Sequence, residues 1–182
     1  GIWPLHTWSP DGHASAPAAG SMMHAGVLMK LGAYGMLRLG FQLLPDAAHD
    51  LAWLVGLIAV INIVYGALGA AWQTDIKYLI AYSSVSHMGV VMLGLATLTA
   101  AGLAGSVFQM VAHGIMTALF FTLVNMIYHK AHSRDMTAMG GFGQRMPAMA
   151  TFFVLAGLSS LGLPGLAGFV AEFLVFLGAW GS

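Results

Sequence analysis

From Leu51 to Ala71 the chain runs without a single charged residue. Roughly 20 mostly apolar residues are what a helix needs to cross a hydrocarbon layer about 30 Å thick, so this stretch sets the terms for the rest of the chain. Four more windows reach that length: Ala19 to Leu43, Tyr78 to Thr99, Leu103 to Tyr128, and Met149 to Trp180. The last is longer than one straight crossing and is interrupted by Gly162-Leu163-Pro164-Gly165. A proline inside a helix removes a hydrogen bond and clashes with the preceding turn, so a break is expected at Leu163-Pro164-Gly165. Backbone freed at that depth must be covered by protein or line a wet cavity. The expected fold is all-α, a polytopic membrane helix bundle of about five spanning helices, with residues 1–182 forming one membrane domain.

Composition supports the membrane reading and narrows the function. Only 7% of residues are charged and mean hydropathy is +0.83, whereas soluble domains are about a quarter charged. The formal net charge is zero, which leaves no basic surface for nucleic acid. The absence of cysteine excludes disulfides, thiolate catalysis and iron–sulfur ligation by this chain. The connections are read as Leu44 to Asp50, Trp72 to Lys77, Ala100 to Gly102, and the longer His129 to Pro147, with Gly1 to Ala18 an N-terminal loop. Lys77, Lys130, Arg134 and Arg145 fall on one side and Asp46 and Asp50 on the other. The basic side is therefore expected to face the cytoplasm or its equivalent. The chain starts at Gly1 and stops at Ser182 directly after an apolar run, which is read as an internal fragment.

Ionisable residues inside spans are costly and by default functional. Lys30 sits near the middle of the first window, with Gly26, Ala33 and Tyr34 on its face at helical spacing. An amine in apolar surroundings is driven toward its neutral form, as a group that exchanges protons requires. Glu172 lies eight residues past Pro164, still within the apolar layer and beside the expected break. His113 is mid-span, sharing a face with Ser106, Gln109 and Thr117; Ser83, Ser86 and His87 form a second polar stripe. Such stripes either bond helices together or line a water path. Lys77 suits a helix-end anchor better than a path. The group His129, His132 and Asp135 is too loose a motif for metal, and His6, Asp11 and His13 read as loop polar groups. No nucleophile constellation, phosphate loop or cofactor motif accompanies these residues, which favours transport over chemistry on a substrate.

Five blocks, in order, carry a resemblance. They are Pro4-Leu5-His6-Thr7-Trp8-Ser9-Pro10-Asp11-Gly12-His13; Gly26-Val27-Leu28-Met29-Lys30; Gln73-Thr74-Asp75-Ile76-Lys77 with Ile80-Ala81-Tyr82-Ser83-Ser84-Val85-Ser86-His87; Ala112-His113-Gly114; and Leu163-Pro164-Gly165 with Phe169-Val170-Ala171-Glu172. Together they resemble the proton-translocating antiporter-like subunits of respiratory complex I, most of all the M-type branch. Subunits of multisubunit sodium/proton antiporters and membrane-bound hydrogenases are related. The chain departs from the family pattern at Ser9 and Gly12, where leucine and alanine are usual.

The resemblance implies proton transfer along a hydrated axis through Lys30, His113 and Glu172; the polar residues read from the sequence itself, His87, Ser83, Ser86, Lys77 and Tyr34, are further candidates for the path or for helix bonding. It implies an upstream lysine and its paired glutamate that are not in this chain. No metal or cofactor is expected here; NADH, FMN, iron–sulfur clusters and quinone are expected in partner subunits. Partners are other membrane subunits, including neighbouring antiporter-like ones, together with the lipid bilayer and protons. The expected location is a bacterial plasma membrane or an energy-transducing organelle membrane. Without the resemblance, a purely structural membrane subunit remains the competing reading.

Overall fold

A computed structural model describes residues 1–181. Among the described residues, three helices are long and apolar enough to cross a membrane: α4 (Pro45–Ala71), α5 (Ile76–Ala96) and α6 (Ala100–Ala131). They follow α1 (Trp8–Ser15), α2 (Ala18–Met23) and α3 (Met29–Gly35), and precede α7 (Phe142–Arg145), α8 (Pro147–Ser160) and α9 (Ala167–Trp180). The protein is an all-α, polytopic membrane bundle.

The first expected span is helical from Ala19 to Phe41, with Gln42 and Leu43 in a turn, but it is not uniformly α. One π-helical segment, His24–Leu28, joins α2 to α3, and a second, Met36–Phe41, follows α3. The last span is broken as expected: α8 ends at Ser160, α9 begins at Ala167, and Gly162 and Gly165 adopt positive φ between them.

Several boundaries move. Gly1 to Ala18 is not simply a loop, because α1 forms inside it. Pro10 is tolerated in its first turn, where the missing N–H would have had no intrahelical partner. The expected loop Leu44 to Asp50 is mostly helix, since Pro45 starts α4 at its first position. Ala100 to Gly102 is already α6, whose start is set by Thr99 accepting from the Gly102 amide at 3.1 Å. The stretch His129 to Pro147 contains the end of α6, a 3₁₀ turn at Met136–Ala138 and α7.

That connection folds back on the α4–α5 turn. Asp75 caps α5 by accepting from the Lys77 amide at 2.7 Å, and its other oxygen lies 3.3 Å from Arg134 Nε. Arg134 also donates to the Ala14 carbonyl at 2.8 Å, tying α1 to this corner.

α6 is the centre of the bundle and packs against α2, α5, α8 and α9, while α4 lies against α5. Most of α4 is exposed, with Trp53, Leu57, Val60 and Val64 facing outward, as suits a bilayer-facing helix. Where α4 meets α5, Gly66 is pressed against Ser86: a Cβ there would come within 2.5 Å of the Ser86 backbone nitrogen.

Candidate functional site

The buried polar side chains sort into two kinds by what they bond. One kind bonds backbone carbonyls. Asn62 donates to Val85 O at 2.8 Å, Ser86 to Ile63 O at 2.9 Å, and Ser106 to Val91 O at 2.8 Å, each stitching one helix to another. Ser83 donates to Ile80 O within its own helix, and Thr117 to His113 O. Lys77 belongs here too, donating to the Ala16 carbonyl at 2.7 Å and the His13 carbonyl at 3.4 Å. Tyr34 is half exposed and its hydroxyl accepts from Arg38 at 3.0 Å.

The other kind meets side chain to side chain and forms a row. Lys30, on α3 just after the first π segment, is buried, and its Nζ lies 2.6 Å from Nδ1 of His113 on α6. It also donates to the Ala25 carbonyl. Among the described residues no carboxylate lies within ion-pair distance of this amine. Small residues make the approach of α6 feasible, for Gly26 and Gly114 face each other beside the lysine.

The His113 ring stands 5.4 Å, centre to centre, from the His87 ring on α5. His87 then presents Nδ1 to Glu172 Oε1 on α9 at 3.4 Å, and its Nε2 lies 3.1 Å from the Ser160 hydroxyl at the end of α8. Gln109, one turn before His113, places Nε2 3.4 Å from both His87 Nδ1 and Glu172 Oε1. The Glu172 side chain, at 22% exposure, is the most open point of the row, whereas His113 is only 2% exposed.

If Nδ1 of His113 accepts from the lysine ammonium, the ring's proton sits on Nε2, which is buried without a partner among the described residues. Four ionisable groups on four helices thus stand in single file, in contact at both ends and 5.4 Å apart, ring centre to ring centre, in the middle.

Sequence reasoning found Lys30, His113 and Glu172, and held His87 as a secondary candidate; the structure places His87 between His113 and Glu172. It missed Ser160, which looks like an ordinary helix-end serine, and saw Gln109 only as part of a stripe. It read His6, Asp11 and His13 as loop polar groups; His6 does lie in the turn before α1, whereas Asp11 and His13 lie on α1, and both histidines are buried. His13 stacks on His24 at 4.2 Å and on Phe121 at 5.1 Å. Burial, reinforced by the His24 ring and neighbouring cations, lowers the His13 pKa to about 3, so its ring is neutral.

The family description "NADH:quinone oxidoreductase/Mrp antiporter, TM" matches residues 1–182. NADH-quinone oxidoreductase subunit M of Rickettsia bellii is 46% identical over 177 residues, covering 97% of this chain and 36% of that protein. NAD(P)H-quinone oxidoreductase chain 4-3 of a Nostoc species is 48% identical over 177 residues, covering 97% of this chain and 32% of that protein. A chain in the structure of respiratory complex I from Thermus thermophilus with bound NADH superposes with a TM-score of 0.94 at 32% identity, over 99% of this chain and 38% of its own length. The chain therefore spans about a third of the length of the curated relatives it matches.

Proposed function

Because this chain belongs to the transmembrane family shared by NADH:quinone oxidoreductase and Mrp antiporters, we propose that it is part of a proton-translocating membrane subunit of an NADH:quinone oxidoreductase. The proton path within it is Lys30, His113, His87, Glu172. The observation that carries this reading is the file of titratable side chains from a buried lysine to a more open glutamate, with contacts of 2.6 Å at one end and 3.4 Å at the other and two imidazoles 5.4 Å apart between them.

Transfer proceeds by exchange of bonds along the file. A proton on Lys30 Nζ passes to His113 Nδ1, and the proton already on Nε2 leaves toward His87 through an intervening water. His87 hands a proton from Nδ1 to Glu172 Oε1, and the acid releases it at the helix break. Imidazoles suit the middle positions because each ring carries two nitrogens and can take a proton at one while releasing one from the other. Each arrival changes the charge felt by the next group.

The chain's own residues bind, orient and pass protons and perform no redox step. Electron transfer from NADH through FMN and iron–sulfur clusters to quinone belongs to partner subunits. The free energy of quinone reduction reaches this row through the neighbouring antiporter-like subunits.

The test is proton uptake into vesicles by the full-length subunit in its parent complex, comparing wild type with Lys30→Ala and Glu172→Gln at matched assembly. Loss of uptake in both variants is expected. Wild-type uptake in either assembled variant removes that residue from the path, and sodium-dependent uptake in place of proton uptake changes the ion.

A further inference from the structure

Gln109 is 2% exposed, and its carboxamide faces the final transfer of the row. The amide nitrogen lies 3.4 Å from His87 Nδ1 and 3.4 Å from Glu172 Oε1, while the amide oxygen is buried with no partner among the described residues. A helix-bonding glutamine would use its oxygen on a neighbouring helix. This one spends its nitrogen on both members of a proton-transfer pair and leaves the oxygen unused.

A carboxamide is asymmetric, since its nitrogen only donates and its oxygen only accepts. With the nitrogen toward the pair, it matches a lone pair on His87 Nδ1 and a carboxylate on Glu172, the proton-empty form. A half-turn about the terminal side-chain bond exchanges the two atoms. The oxygen then matches an N–H on His87 Nδ1 and an O–H on Glu172, the proton-loaded form. When the two residues share one proton, their direct contact of 3.4 Å serves instead.

We infer that Gln109 is a positioning residue whose amide turns with the protonation state of the His87–Glu172 pair, a two-position latch on the last transfer. The inference rests on the proton-path reading above. In the step itself the Nδ1–H bond of His87 breaks, its electron pair stays on nitrogen, and an O–H bond forms on Glu172. The two orientations are unequal. The present one strands an acceptor, whereas the turned one strands a buried NH₂ donor, and orphaned donors are the rarer and costlier case. The latch therefore rests in the proton-empty orientation and returns to it after each release.

The experiment is infrared difference spectroscopy on the wild-type complex as pH is varied, with proton uptake measured in parallel on Gln109→Leu and Gln109→Met. In wild type, a glutamine amide band moves together with the Glu172 carboxyl band, and both signals vanish in Glu172→Gln. In the two variants uptake slows about tenfold, the size of one hydrogen bond to a charged group, and the Glu172 carboxyl band shifts. An amide band that ignores Glu172 titration in wild type overturns the latch, whether or not the variants assemble. So does slow uptake with an unshifted carboxyl band, which marks a packing role. Normal uptake in Glu172→Gln overturns the path itself; silence there with normal Gln109→Leu uptake overturns only the latch.

Discussion

The hydroxyl of Ser160 lies 3.1 Å from Nε2 of His87 across 73 residues of chain. It couples the end of α8, where the last span breaks, to the imidazole that faces Glu172. Ser160→Ala leaves that ring nitrogen without its partner and the ring freer to turn. Proton uptake is expected to slow several-fold, in line with about 1 kcal/mol for one hydrogen bond. Equal uptake by wild type and variant, at equal complex content, would show that Ser160 does not hold the ring.

Gly162 tests the same corner from the backbone. Its φ is +63°, and a Cβ there would meet Glu172 Oε2 at 2.6 Å. Gly162→Ala adds about 1–2 kcal/mol of left-handed strain and displaces the carboxylate. The expected result is an assembled complex with uptake reduced as severely as in Glu172→Gln. Uptake near wild type would mean the carboxylate has room to move.

Gly66→Ala probes the α4–α5 packing at Ser86, the residue next to His87. The new methyl collides with the Ser86 backbone, forcing α4 from α5 at a cost of about 1–3 kcal/mol. Thermal unfolding of the purified complex in detergent should show an earlier loss of this subunit, with uptake before unfolding nearly normal. An unchanged transition would mean that α4 shifts freely.

His13 gives a pH dependence of known sign. Its ring is held neutral, with a pKa lowered from 6.5 to about 3 by burial, so the unfolded chain binds a proton that the folded chain refuses. Stability is full above pH 6.5 and falls as pH drops toward 3. His13→Phe keeps a flat ring for stacking on Phe121 and should flatten the acid side of the stability profile. An unchanged acid limb would assign that limb to other groups.

What the sequence disclosed, and what it hid, follows from the physics of each residue. Lys30 and Glu172 are conspicuous because a charge in an apolar span needs a reason wherever it lies. The helix break was legible because proline and glycine act locally. The division of labour among neutral polar residues was not legible. Helical spacing puts Ser83, Ser86 and His87 in one stripe, yet Ser86 reaches Ile63 and His87 reaches Ser160 and Glu172, and those partners lie 23 to 85 residues away. Only the assembled bundle distinguishes stitch from relay. The π segments around α3 were equally hidden, since nothing in the composition of His24–Leu28 separates a five-residue hydrogen-bond register from a four-residue one.

Those segments make the direction of the lysine a long-range property of its helix. In an α-helix each residue advances the azimuth by about 100°, and a π turn holds one residue more than the regular repeat. The compass bearing of Lys30 toward His113 is thus fixed by the winding of His24–Leu28 upstream as much as by the turn on which the lysine sits. Shortening that segment by one residue would keep every side chain of the row in the sequence and point the amine at a different neighbour.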